Sequence, residues 1–247
     1  MRIAGRLLIA SSLVLASAAI SVAGAAAATF TNSAPIAIPS NGTASPYPSQ
    51  IDVAGQTTPI SDLNVNLNGL THDAPSDIQV LLVAPGGQAM LLMACVGNDM
   101  TPGAANANLK LDDSSGIRMP AFPSAVFSGT YKPTSYCSSA PTLPSPAPTG
   151  YANPGPGAGG GSTLASIFNN SGANGPWSLF VYDAFVGGNT GAQFAGGWSL
   201  EISPDPASAP GPAEPKKTCP KGSKLKKVKT KSGKTKKKCV RKKRKKR

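Results

Sequence analysis

The sequence predicts an all-β sandwich, on three observations. Apolar residues recur at every second position in several short runs. Gly, Pro, Asn and Asp separate those runs, and no stretch between them holds a helical period. Gly 27, Pro 24 and only 14% charged residues in a chain of 247 also oppose a helical bundle, which needs long runs of helix formers. Alternate residues of a strand face one way, so such strands can supply two inner faces, and about 175 residues suffice for one core.

The elements follow in chain order. Met1–Arg6 is basic, Leu7–Ala23 is apolar, and Ala25–Ala28 offers small residues, which is the pattern of a secretory signal over residues 1–28 cleaved after Ala28. The apolar run is Ala-rich and short of the roughly 20 residues a membrane span needs. No later stretch is longer, so a secreted, extracellular chain without a transmembrane segment is expected. Residues 29–203 are the expected sandwich. In it Leu63, Val65 and Leu67 alternate with Asn64 and Asn66. Ile78, Val80 and Leu82, then Gly86-Gly87, then Met90 and Leu92 read as a hairpin. Trp177, Leu179 and Val181 form a later strand, and Trp198, Leu200 and Ile202 a closing one. Both tryptophans are in phase with apolar neighbours, which places them in the core rather than on the surface as sugar platforms.

Residues 120–162 are rich in Pro, Gly and Ser, and only Gly129–Pro133 resembles a strand. A loop this long is expected to be a functional excursion or a poorly ordered insert. Cys137 would tie it back, and Tyr131, Tyr136 and Tyr151 are its solvent-facing candidates. Residues 204–215 are a Pro-rich linker, expected to be extended and semi-rigid. Residues 216–247 are a Lys/Arg-rich tail.

The net charge of +13 is segregated. Residues 29–215 hold all 11 acidic residues against Lys110, Arg118 and Lys132, a balance of −8, whereas residues 216–247 hold 19 basic residues and no acid. This excludes a basic nucleic-acid-binding face spread over the fold. In the tail Lys outnumbers Arg 16 to 3 and no aromatic residue is present, so neither bidentate phosphate recognition nor base stacking is favoured. Sequence-specific nucleic-acid binding is not expected. The tail's partners are anionic cell-wall or surface polymers, bound by diffuse charge through Lys226, Lys227, Lys236, Lys237, Lys238, Arg241, Lys242, Lys243 and Arg244. Self-repulsion of like charges predicts a disordered tail. A disulfide-closed hairpin turning at Ser232-Gly233 is the alternative.

Four cysteines suit an oxidising compartment. They allow three pairings, of which Cys95–Cys137 with Cys219–Cys239 is the simplest. Zinc is disfavoured, because neither pair has CxxC spacing and His72 is the only histidine. His72 is also the only base for a Ser–His–Asp arrangement, with Asp73 or Asp77 as the orienting carboxylate. Ser162 lies in a Gly-rich stretch and no GxSxG elbow exists, so no enzyme activity is expected and His72 reads as a turn residue bonded to the following loop. Asp73, Asp77, Asp112, Asp113, Asp183 and Asn189 sit where oxygen ligands for calcium would lie, although turn chemistry accounts for the same residues without a metal.

Three segments also carry a family likeness. Ser76–Gly87 (SDIQVLLVAPGG), Asn174–Asp183 (NGPWSLFVYD) and Asn189–Ile202 (NTGAQFAGGWSLEI), with Thr71-His72 ahead of the first, resemble the strand motifs of the P domain, or Homo B domain, of proprotein convertases. The likeness spans about residues 31–203, with Pro176 in place of a usual Thr. It implies a galactose-binding-like, jelly-roll-like β-sandwich and an association with subtilisin-like serine proteases, here as a separate protein because the chain lacks a catalytic domain. Members of that family can carry calcium, which would put Asp77 and Asp183 first among the ligands.

Overall fold

The computed structural model describes residues 26–187, 191–205, 219, 223–229 and 235–241. These fall into two compact units, one up to residue 209 and one from residue 210. Most of the expected signal segment lies outside the described residues. The first unit contains β1 (Ala28–Asn32), β2 (Ile36–Ala37), β3 (Gly42–Thr43), β4 (Ser49–Val53), β5 (Ile60–His72), β6 (Ile78–Val83), β7 (Ala89–Ala94), β8 (Ala104–Leu111), β9 (Gly129–Tyr131) and β10 (Thr134–Ser135). One short helix, α1 (Leu164–Phe168), then precedes β11 (Gly175–Asp183), β12 (Gln193–Phe194) and β13 (Trp198–Pro204).

The strands form two sheets packed as a sandwich, as the alternation predicts. In the first sheet the long β5 lies between β13 and β8, with β1 beyond β13, β9 beyond β8, β12 pairing its far end and β2 beyond β12. In the second, β10, β7, β6 and β11 run in that order, and β4 and β3 share the outer edge of β11. The expected hairpin is β6–β7, closed at Ala84 and Gln88 by a backbone hydrogen bond of 2.8 Å. Trp177 and Trp198 are fully buried. The Trp198 indole donates to Ser49 Oγ at 3.0 Å, so a residue of β13 in one sheet bonds a residue of β4 in the other. Strand β8 escapes the sequence reading because Ala and Asn are weak strand formers. Its pairing with β5 is interrupted by two register shifts, and Asn106 in β8 and Gly69 in β5 both adopt positive φ.

The Pro-rich stretch, expected as a functional excursion or a poorly ordered insert, packs against the second sheet. Inward residues Ile78, Val80, Leu82, Met90, Leu92, Trp177, Leu179 and Val181 belong to the main core between the sheets. The outward residues of the same strands, Leu81, Ala89, Leu91 and Phe180, are buried as well, in a second cluster with Cys137, Leu143 and Ala147. Residues 137–151 therefore form a cover over the outer face of the second sheet. Tyr47 packs edge-on against Phe180 at 5.0 Å between ring centroids, and its hydroxyl donates to Pro144 O at 2.8 Å. Burial pushes the Tyr47 phenol up to about 12. Each large apolar side chain so covered contributes roughly 1.5–3 kcal/mol. The three tyrosines expected to face solvent do not. Tyr131 is buried and Tyr136 and Tyr151 are half-buried, and their hydroxyls donate to the carbonyls of Phe127, Met119 and Pro141.

Both disulfides follow the simplest pairing, Cys95–Cys137 and Cys219–Cys239. Strand β13 runs to Pro204, one residue into the expected linker, and the Asp205 N–H donates to Pro59 O at 2.9 Å. Residues 206–218 lie outside the described residues. In the second unit, β14 (Ser223–Lys229) and β15 (Thr235–Arg241) pair antiparallel, so the tail forms a hairpin where charge repulsion alone predicts disorder. Exposed Lys226 and Lys238 sit directly opposite one another, which is unfavourable for like charges. The Cys219–Cys239 bond offsets this by removing about 3 kcal/mol of loop entropy from the unfolded chain. Ser232-Gly233, the expected turn, lies outside the described residues.

Opening the first disulfide with paired Cys95→Ala and Cys137→Ala substitutions is expected to lower stability by about 4 kcal/mol on the loop-entropy relation. Urea unfolding of the full chain measures it, and new protease cuts within residues 138–150 are expected because the cover loses its tether.

Candidate functional site

The segment after β5 and the end of β11 meet at one pole of the sandwich. β6 and β11 pair so that Asp183 stands opposite Ile78, and the Ala184 N–H donates to Asp77 O at 3.0 Å. This register brings His72, the last residue of β5, against Asp183. His72 Nε2 lies 3.1 Å from Asp183 Oδ2, and both side chains have no exposed surface. His72 Nδ1 accepts the Ala74 N–H at 3.1 Å, so Nε2 carries the proton and donates to the carboxylate. Asp183 Oδ1 accepts the Phe185 N–H at 3.1 Å.

All four polar atoms of this pair are thus engaged within the fold. His72 does bond the following loop as expected, but its carboxylate partner is Asp183 rather than Asp73 or Asp77. The pair links the Thr71-His72 segment to the end of the NGPWSLFVYD segment, 111 residues away in sequence. Ser162 lines a different cavity, of about 100 Å³, together with Asp113, Arg118 and Lys132.

Of the oxygen donors picked from the sequence, Asp73 and Asp77 converge with Asp99 on a cavity of about 270 Å³ whose wall also includes Met100 and Val186. Nothing in the sequence marks Asp99, because an isolated acid in a loop carries no pattern. Ser76 Oγ donates to Asp77 Oδ1 at 3.2 Å. Burial pushes the Asp77 carboxyl above its ordinary value, the Ser76 bond partly offsets this, and the charges of Asp183 and Asp99 add to it. Asp112 and Asp113 do not join the cluster. Asp112 Oδ1 accepts the Ser114 N–H at 2.8 Å in a turn. Asp113 accepts the N–H groups of Leu164 and Ala165 at the start of α1, which is helix capping. Asn189 lies outside the described residues. Among the described residues no group of three or more His, Cys, Asp or Glu side chains is arranged to hold a metal ion.

The outer face of the first sheet is polar. Lys110 Nζ donates to Glu201 Oε2 at 2.8 Å and Asn66 Nδ2 to Glu201 Oε1 at 3.0 Å. The Lys110 bond is the main reason the Glu201 carboxyl is held below its ordinary value. In the second unit the backbone of β14 and β15 places Lys226, Lys227, Lys236, Lys237, Lys238 and Arg241 within one hairpin, and Lys226, Lys227 and Lys238 are exposed. Lys242, Lys243 and Arg244 lie outside the described residues. Among the described residues no helix is long and apolar enough to cross a membrane.

No protein-family model, curated protein or solved structure matches the chain.

Two predictions follow from the pole. Asp77→Asn is expected to raise the melting temperature at pH 7. The folded-state value of Asp77 lies above its unfolded one, so its ionisation weakens the fold as pH climbs from the unfolded value through the raised one. The gain should vanish near pH 3, where both residues are neutral; a gain independent of pH would contradict this origin. Separately, the melting temperature should be the same in EDTA and in millimolar calcium, because both Asp183 oxygens are already taken. A rise with calcium would contradict this expectation.

Proposed function

We propose that this protein is a secreted, non-catalytic P-domain-like module held at anionic envelope polymers by its polybasic tail. The observation that carries the reading is the division of charge: residues 29–215, which include the sandwich, have a balance of −8, and residues 216–247 hold 19 basic residues and no acid. The hairpin concentrates exposed lysines, and polyanions bind such an array by releasing counterions rather than by reading structure. Two disulfides suit an oxidising compartment outside the cytoplasm.

The P-domain reading rests on the three motif segments. It is supported by their placement, since the first two form the neighbouring strands β6 and β11 and the third supplies β12 and β13. That same likeness favours a second reading, in which the sandwich stabilises a separately encoded subtilisin-like protease.

A salt titration on anionic wall fragments tests the tether. The full chain should bind at low salt and lose on the order of a thousandfold in affinity between 50 and 200 mM salt if about six charges engage. A chain ending at residue 215 should not bind. Equal binding by the two chains at every salt concentration would reject the tether. Recovery of a protease from culture supernatant by that shortened chain would favour the second reading.

A further inference from the structure

Three of the large apolar side chains that the core leaves out gather at the pole that holds Asp77. Met100 is 60% exposed, Phe127 69% and Val186 88%. They come from three loops far apart in sequence, yet they border two adjoining cavities. Phe127 lines one of about 580 Å³, while Met100 and Val186 line the cavity of about 270 Å³ that contains Asp77 and Asp99. Asp73 and Thr101 form part of both walls, so the two cavities are neighbours.

The position of the wall is fixed by the backbone rather than by side chains. A Cβ at Gly103 would run into the carbonyl oxygens of His72 and Asp73, so only glycine lets this loop lie against the end of β5. The Gly187 N–H donates to Ser40 O at 3.1 Å and holds the Val186 loop. The neighbouring His72–Asp183 bond braces the strands beneath.

The chemistry of this surface selects its occupant. Scattered exposed apolar residues are ordinary, but a cluster around a recess marks an interaction site. Three carboxylates repel an anionic ligand or an anionic lipid surface. A purely apolar ligand would strip water from Asp77 and return no counter-charge. A lone cation would leave the three apolar side chains uncovered. An extended segment in which basic and apolar residues alternate meets both demands, because it can place its cations among the acids and its apolar side chains on the rim.

We propose that this pole of the sandwich is a docking surface for a basic, apolar-containing segment of a partner protein, with Lys or Arg received by Asp73, Asp77 and Asp99 and apolar side chains seated on Met100, Phe127 and Val186. The surface lies wholly on the first unit, and the proposal is independent of the tail's role.

Fluorescence anisotropy with the disulfide-intact full chain tests it, using a labelled octapeptide of alternating Lys and Leu as probe and a Lys/Ser octapeptide as control. The Lys/Leu peptide should bind and the Lys/Ser peptide should bind at least tenfold more weakly. Combined Met100→Ser, Phe127→Ser and Val186→Ser should weaken the Lys/Leu peptide about tenfold. Asp77→Asn with Asp99→Asn should weaken it severalfold and flatten its salt dependence. Val186→Ser alone, at the most exposed position, should act in the same direction by about threefold, so the test stands if the triple variant fails to fold. Equal binding of the two peptides, or unchanged affinity in Val186→Ser and the paired Asp variant, overturns the proposal. So does concentration-dependent self-association, or binding to phosphatidylcholine vesicles, that the same substitutions abolish, since the occupant would then be a second copy or a membrane.

Discussion

Strands β6, β7 and β11 bury side chains on both faces, and the rest of the first unit is arranged around that requirement. A sandwich needs only one apolar face per sheet. Here Leu81, Leu91 and Phe180 point away from the main core and still must be kept from water. The chain meets this with the Pro-rich stretch, which lies over them and is fastened by Cys95–Cys137. Proline suits the task because it holds an extended path without needing a backbone donor partner. The first sheet has no such need. Its outer face carries Asn66, Lys110 and Glu201 in a hydrogen-bonded group and meets solvent directly.

The asymmetry leaves the exposed charged and apolar clusters to the ends of the strands. At one pole, the buried His72–Asp183 bond joins the end of β5 to the end of β11, two strands of opposite sheets, and so fixes where the intervening loops emerge. Its atoms are occupied within the fold, which makes it a brace for the loops bearing Asp77, Asp99 and the exposed apolar residues. In the proposed reading the tail works through charge density, and the Cys219–Cys239 disulfide links residue 219 to strand β15 of its hairpin.

Legibility from sequence varied with the type of signal. Strands carrying large apolar residues in phase with Trp177 or with the β6–β7 hairpin were readable, because burial on one face enforces a period of two. Strand β8 was not, since Ala104, Ala107 and Asn108 carry weak preferences that pairing with β5 overrides. The tyrosines of the Pro-rich stretch were misplaced for a related reason. Composition marked the stretch as a loop, whereas the uncovered face beneath it decided that it packs. At the pole, His72 and Asp77 stood out as residue types, but the partner of His72 depended on a contact spanning 111 residues.

The sequence by itself determined the all-β class, the in-phase placement of both tryptophans, and the division into an acidic domain and a cationic tail, whereas it left three disulfide pairings open. What it determined follows from periodicity and composition, which are local or additive properties. Only the tertiary structure decided that the Pro-rich stretch is a cover, that Asp183 belongs to His72, and that Met100, Phe127 and Val186 share a pole with three carboxylates. Each of those depends on which distant segments are brought together by strand register, and no local pattern encodes that.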